Sequence, residues 1–274
     1  HGMIRPRGNI PKVIENRRAL KSKDTNHHVV RSASFLSSWD SNNATRIDAL
    51  SKSKLLVSNE GWIGLAGRLA AALDEIGVLI ECGVKVESLH DYGVKLKNGK
   101  RVEADVVILA CGLNGARKLL TDTYPNRSKE ILTNPSRTTA SIIELGLDSK
   151  PLRDRQAIID TENNTAVIDY VAIQSLLSTH GSHLSAITVG GLSGDIGETK
   201  FASSEERMQF LENFIDSQAG GWREHIVTDL RQDKITIHEY CDNEIDGFAF
   251  SDVGIILAGA WVKSDYILAD AAVD

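Results

Sequence analysis

The segment VKVESLHDYGVKLKNGKRVEADVVILAC, residues 84–111, decides how the chain folds. Its opening alternates, with Val84, Val86 and Ser88 on one face of an extended strand. Residues 93–97 and 100–104 then flank Asn98-Gly99, a pair that tolerates the positive φ of a tight turn and so predicts a hairpin. The character changes at Asp105. Residues 105–111 are continuously apolar after the aspartate, which suits a strand covered on both faces, as in a parallel sheet.

Working outward, Lys54-Leu55-Leu56-Val57 is a short apolar run. Trp62, Leu65, Ala66, Leu69, Leu73 and Ile76 follow at three- and four-residue spacing, ended by Gly77, which predicts an amphipathic helix with its stripe turned to a core. Residues 78–82 read as a further strand. Beyond Cys111, Gly112 and Gly115 open a helix through Leu120. Strands are expected at 138–146, 156–160, 165–174 and 184–190. A helix over 203–218 is capped by Ser203 or Ser204, with Met208, Leu211, Phe214 and Ile215 as its buried stripe. Strands at 235–240 and 253–258 and a helix over 266–273 complete the reading. The signals cluster into a flanking unit, 54–120 with 251–274, and an inserted, β-rich unit, 121–250. Residues 1–53 form a basic and polar, irregular segment, with a short helix near 44–52.

Composition narrows the function classes. The 274 residues are 42% hydrophobic and 25% charged, as expected of a soluble globular protein, and no apolar run reaches a membrane span. The net charge of −6 gives no reason to expect nucleic acid, although residues 1–30 carry an excess of basic side chains. That arm reads as a solvated linker, with phosphate binding as the alternative. No signal peptide is visible, and His1-Gly2 before Met3 reads as a cloning remnant. Three cysteines, Cys82, Cys111 and Cys241, imply no disulfide framework and point to a reducing, cytoplasmic setting.

With these elements in order, residues 55–111 resemble the middle of the phytoene-desaturase and flavin amine-oxidase oxidoreductases. The likeness rests on Gly61-Trp62 and the helix to Ile76, on Val86-Glu87-Ser88-Leu89, on the Asn98-Gly99 turn, and on the strand from Ala104-Asp105 to Ala110. A second match, Leu257-Ala258-Gly259-Ala260-Trp261-Val262 followed by Leu268-Ala269-Asp270-Ala271-Ala272, is similar to the family's closing flavin-contact motif. Ala260 stands where the family usually has an aspartate. The resemblance spans roughly residues 31–274.

It implies a mixed α/β (α+β) fold, in which an incomplete FAD-binding, Rossmann-like domain receives an inserted β-rich substrate domain. It also implies FAD as cofactor, hydride abstraction by flavin from a C–H or C–N bond, and a small-molecule substrate. Cofactor contacts carry over to Val86, Ala110 and Gly112. At the closing motif they carry over to Gly259, Ala260 and Trp261, then to Leu268, Ala269, Asp270 and Ala271. Small residues there let backbone N–H groups and a helix dipole approach anionic oxygens. No catalytic residue and no metal follow. The family's opening Gly-x-Gly-x-x-Gly turn does not occur in these residues, so the chain reads as a carboxy-terminal portion completed by a missing amino-terminal half or a partner chain. The alternative is a non-catalytic remnant or binding module that keeps the fold without the cofactor.

Other constellations read as structure. Gly190-Gly191 to Gly197 has the wrong spacing for a phosphate loop. His180-Gly-Ser-His183 and His27-His28 read as polar turns rather than metal ligands. Cys111 reads as a small core residue; Lys263, Asp265 and Tyr266 read equally as groups that approach a flavin or as a solvated loop.

Overall fold

The computed structural model describes residues 61–264, apart from 91, 154, 161–162, 196 and 242. The run at 54–57, the short helix near 44–52 and the helix expected over 266–273 lie outside the described residues. In chain order the elements begin with helix α1 (Gly61–Glu75), then strands β1 (Val86–His90), β2 (Gly93–Leu96), β3 (Arg101–Glu103) and β4 (Val107–Leu109). Helices α2 (Gly112–Thr123) and α3 (Pro125–Ile131) follow, then β5 (Ser136–Leu147), β6 (Ala157–Asp160), β7 (Thr165–Asp169) and the single turn α4 (Tyr170–Ile173). The chain continues through β8 (Ser182–Val189), α5 (Ser204–Gln218), β9 (Ile226–Tyr240) and β10 (Ile255–Leu257). The fold is therefore a mixture of α and β, and its strands form three sheets. By contacts the chain divides into two compact units: residues 61–76 with Thr138–Ile237, and Gly77–Arg137 with residues 238–264.

The first unit is built on a five-stranded sheet of order β6-β7-β8-β5-β9. β5 and β8 pair antiparallel over eight residues, from Ala140↔Val189 to Leu147↔Ser182. This register puts Ile143, Leu145, Leu184 and Ala186 on one face, where they pack with Leu152 and Val167 against Leu211, Ile215 and Trp222. Each aliphatic side chain so enclosed contributes about 1.5–3 kcal/mol relative to exposure. The expected stripe of α5 is present, with Leu211 and Ile215 buried and Met208 and Phe214 half-buried against the same cluster. Ser203 caps the helix, its hydroxyl accepting the Glu206 N–H at 3.2 Å.

One buried residue of α5 has no precedent in the periodicity. Arg207 is fully enclosed. Its guanidinium donates to the Ser141 hydroxyl, to the Thr139, Gly190 and Asp233 carbonyls, and to Asp195 Oδ2 at 3.3 Å. Asp195 in turn accepts the Thr139 and Leu192 N–H groups. This pair closes the Gly190–Gly197 stretch as a structural loop. Burial pulls Arg207 below its ordinary pKa and Asp195 opposes that.

α1 forms where the spacing placed a helix, but its stripe does not face a core. None of its residues is buried; Ile63 is 85% exposed and Leu69 58%. Periodicity fixes which side chains share a face, whereas burial needs an opposing layer. Residues 170–173, expected to continue a strand, instead turn into α4. The Asp169 carboxylate, accepting the Val171 and Ala172 N–H groups, nucleates that turn.

The second unit holds the meander β1-β2-β3, antiparallel throughout. Its hairpin turn falls at Asn98-Gly99, closed by the Gly99 N–H on the Leu96 carbonyl at 2.9 Å. β4 pairs with β10, in parallel, through Val107↔Ile255 to Leu109↔Leu257. The pair is two-stranded, and the expectation of a strand covered on both faces is corrected, since Ile108 is 62% exposed. Residues 78–82 form no strand, and Leu79 stands in solvent, because no neighbouring strand accepts its hydrogen bonds among the described residues. The core of this unit gathers Leu109, Leu113, Ala116, Leu120, Phe250, Ile255 and Leu257.

Candidate functional site

Two parallel strands leave their backbone groups open at the carboxyl end, where the chain must turn into whatever follows. In β4 that continuation is Ala110-Cys111 and the first turn of α2; in β10 it is Ala258–Val262. The two are tied together, the Ala258 N–H donating to the Leu109 carbonyl at 3.1 Å. Ala110, Gly112, Gly259, Ala260 and Trp261, five of the residues singled out in the sequence, therefore gather at one end of the parallel pair. The carboxyl edge of such strands is where open α/β sheets take ligands. Val86 belongs to a different sheet, half-buried opposite Leu96. Leu268, Ala269, Asp270 and Ala271 lie outside the described residues.

The turn after β10 is tight. The Val262 N–H donates to the Gly259 carbonyl at 3.0 Å, and Gly259 has φ +135°. A Cβ at Gly259 would stand 2.8 Å from Trp261 Nε1, so the backbone approaches the indole as closely as a glycine allows. Trp261 is buried, and its Nε1–H has no hydrogen-bond partner among the described residues. A buried, unmatched donor is destabilising by about 1–3 kcal/mol. That donor fits a group with acceptor atoms bound at this turn, as a flavin's carbonyl and ribityl oxygens would be.

The start of α2 is different. Glu239, near the end of β9, accepts the Leu113 N–H at 2.7 Å and the Asn114 N–H at 3.4 Å, and it also takes the Asn114 side-chain amide. A Cβ at Gly112 would lie 2.8 Å from Glu239 Oε2. The free N–H groups that would attract a phosphate are thus matched by an internal carboxylate. Gly112 can line a cofactor here, but the α2 terminus does not fit a phosphate. Glu239 was not foreseen, because its partners lie about 125 residues away in sequence and no local spacing joins them. Cys111, expected in the core, is exposed. Desolvation raises its thiol pKa, and the Glu239 carboxylate adds to the rise, which keeps it protonated.

A cleft of about 420 Å³ opens at the other, amino end of the same strands. It is lined by His90, Tyr92, Asp105, Val107, Tyr124 and Asp252 among others. Its Asp252 carboxylate is engaged by Arg127 at 2.7–2.8 Å, and that hydrogen bond holds Asp252 below the usual carboxylate range. Lys263 pairs with Glu244 at 2.9 Å, while Asp265 and Tyr266 lie outside the described residues. His183 pairs with Glu144 rather than with His180 on a metal. Among the described residues no group of three or more His, Cys, Asp or Glu could hold a metal ion. No described helix is long and apolar enough to cross a membrane.

No protein-family model and no curated protein matches the chain. Solved structures do. An oxidoreductase from Methanosarcina mazei superimposes with a TM-score of 0.57 at 16% identity, over 77% of this chain and 52% of that one. A protein from Pyrococcus furiosus gives 0.56 at 14% identity, over 93% and 62%. A protein provisionally assigned as a protoporphyrinogen oxidase, from Exiguobacterium sp. 255-15, gives 0.51 at 15% identity, over 75% and 48%. The chain spans about half to three fifths of the length of these structures. At such identities the likeness is one of fold, shared over part of each of these structures.

Proposed function

We propose that the chain is the carboxy-terminal portion of an FAD-dependent oxidoreductase, in which flavin accepts a hydride from a C–H or C–N bond of a small organic substrate. The observation that carries this reading is the turn at the carboxyl ends of β4 and β10, where Gly259 lets the backbone approach Trp261 and the buried indole N–H is unmatched. Gly259, Ala260 and Trp261 would hold the flavin, with Ala110 and Gly112 lining it and Leu268–Ala271 extending the contact. When bound, the flavin supplies the electron-accepting chemistry; these residues position it and exclude water around it. The inserted β-rich unit would face the substrate, and Val86 would approach the adenine end.

The cofactor's phosphates would be held by a glycine-rich half supplied by a longer chain or a partner. Two features support that division. The α2 terminus is already matched by Glu239. The parallel pair β4–β10 leaves Val106 and Ile108 exposed, as the border of a larger parallel sheet would be before its other strands are added. A reducing cytoplasm remains the proposed setting.

The test is ultraviolet–visible absorbance after gel filtration of the chain, alone and co-expressed with its glycine-rich half. Flavin bands should co-elute with the completed protein and be lost in Gly259→Leu. A colourless completed protein in excess FAD would overturn the reading.

A further inference from the structure

One face of strands β5, β7 and β8 is sealed by α5; their opposite face is half-buried and carries a mixed pattern. The antiparallel register places Ile142 opposite Ile187, Glu144 opposite Ser185 and Gly146 opposite His183, while Ile168 of β7 stands opposite Ser185. Period-two alternation puts all of these on the side away from Ile143 and Leu145. At its centre the Glu144 carboxylate binds two neighbours on β8. Oε1 accepts the Ser185 hydroxyl at 2.6 Å, and Oε2 lies 2.8 Å from His183 Nε2. The His183 ring leans on Tyr170, with centroids 5.6 Å apart.

We propose that His183, held by Glu144, which Ser185 braces in turn, among the isoleucines of this face, is a recognition site for a largely apolar small molecule carrying a carboxylate. The proposal rests on the reading of the inserted unit as the substrate side, and it names the substrate class. Three observations lead there. Glu144 has both oxygens engaged by protein donors, so it orients His183 rather than offering itself to a cationic ligand. The pairing takes Nε2 and leaves Nδ1 as the second ring donor, on a side chain that is 45% exposed. Ile142, Ile168 and Ile187 supply apolar surface on the same face for the body of such a ligand.

The charges facing the ring favour its protonated form. The Glu144 hydrogen bond raises the His183 pKa most, desolvation opposes it, and the charges of Glu144 from β5 and Asp169 from β7 add to the rise. Asp169 is otherwise occupied by the α4 N–H groups and the Ser182 hydroxyl. Tyr170, the remaining titratable neighbour, has its pKa raised by burial and stays neutral. An imidazolium donating to a carboxylate makes a charge-assisted hydrogen bond, shorter and stronger than a neutral one.

The experiment uses trans-cinnamate and cinnamylamine, probes matched in apolar body and opposite in charge, titrated into the full chain while the imidazole nitrogens are followed by NMR. Cinnamate should shift the His183 resonances, cinnamylamine should not, and His183→Gln should weaken cinnamate roughly tenfold or more. Cinnamate binding should fade as pH rises through the pKa of folded His183, and Glu144→Gln should move that midpoint to lower pH. No cinnamate effect at His183, equal binding of the amine, or an unmoved midpoint in Glu144→Gln would each overturn the assignment. Should His183→Gln fail to fold, the probe pair and the Glu144→Gln profile decide alone. No measurement here involves flavin, so a colourless completed protein that binds cinnamate would sink the oxidoreductase reading and leave this site standing.

Discussion

In the five-stranded sheet, Ile143, Leu145 and Leu184 are sealed from solvent, with α5 laid across them. In the parallel pair, β4 offers residues just as apolar, yet Ile108 and, just before the strand, Val106 remain in water, as do Trp62 and Ile63 of α1. The two regions do not differ in the hydrophobicity of their elements. They differ in whether the described residues provide a second layer. A strand or helix with an apolar face is half of a core, and the other half must come from another element. Over β5, β7 and β8 the sheet unit contains its own second layer, although β9 of the same sheet leaves Val227 and Leu230 exposed; the parallel pair and α1 present apolar surface that no described residue covers.

Substitutions can break or sharpen this contrast. The largest effect should come from Arg207→Met. It leaves Asp195 buried without its cation and the Gly190 carbonyl without its guanidinium donor, and removal of one member of a buried pair costs about 3–5 kcal/mol. Chemical denaturation would measure it, and a loss below 1 kcal/mol would show that water enters this cluster. Next come matched truncations. Leu211→Ala in α5 should cost about 2–5 kcal/mol. Leu69→Ala in α1 should change stability by no more than about 0.5 kcal/mol. Equal losses at the two leucines would mean that α1 is covered in solution and would erase the contrast.

The smallest expected effect is a pH dependence confined to the sheet's open face. Glu144 raises the pKa of folded His183 above its unfolded value. The resulting stabilisation is fully present below the unfolded histidine pKa, about 6.5, and is lost as pH rises through the folded value. The stability difference between the parent and His183→Gln should therefore shrink between mildly acidic and alkaline pH. A difference that grows with pH would show that the imidazole is held neutral.

Local chemistry was legible where it acts over a few residues. Asn98-Gly99 specified the hairpin because its backbone preference is intrinsic, and the serines at 203 and 204 marked the start of α5, where Ser203 proves to be the cap, because a hydroxyl three residues before an N–H can accept it. Gly112 and Gly259 stand where another side chain comes close, Glu239 and Trp261 respectively. Glu239 and Arg207 were not legible, since each meets partners that are distant in sequence. Glu144 and His183 lie 39 residues apart and meet only through the β5–β8 register. The strand expected at 78–82 failed because β propensity needs a neighbour to pair with.

The sequence by itself thus determined the hairpin, the places of α1, α2 and α5, and the small-residue turn after β10, because φ/ψ preference, capping and periodicity are properties of adjacent residues. Only the tertiary structure decided which apolar faces are covered and which are left open. It alone matched the α2 terminus with Glu239 and set His183 on Glu144. Register and packing join residues that no local pattern can associate.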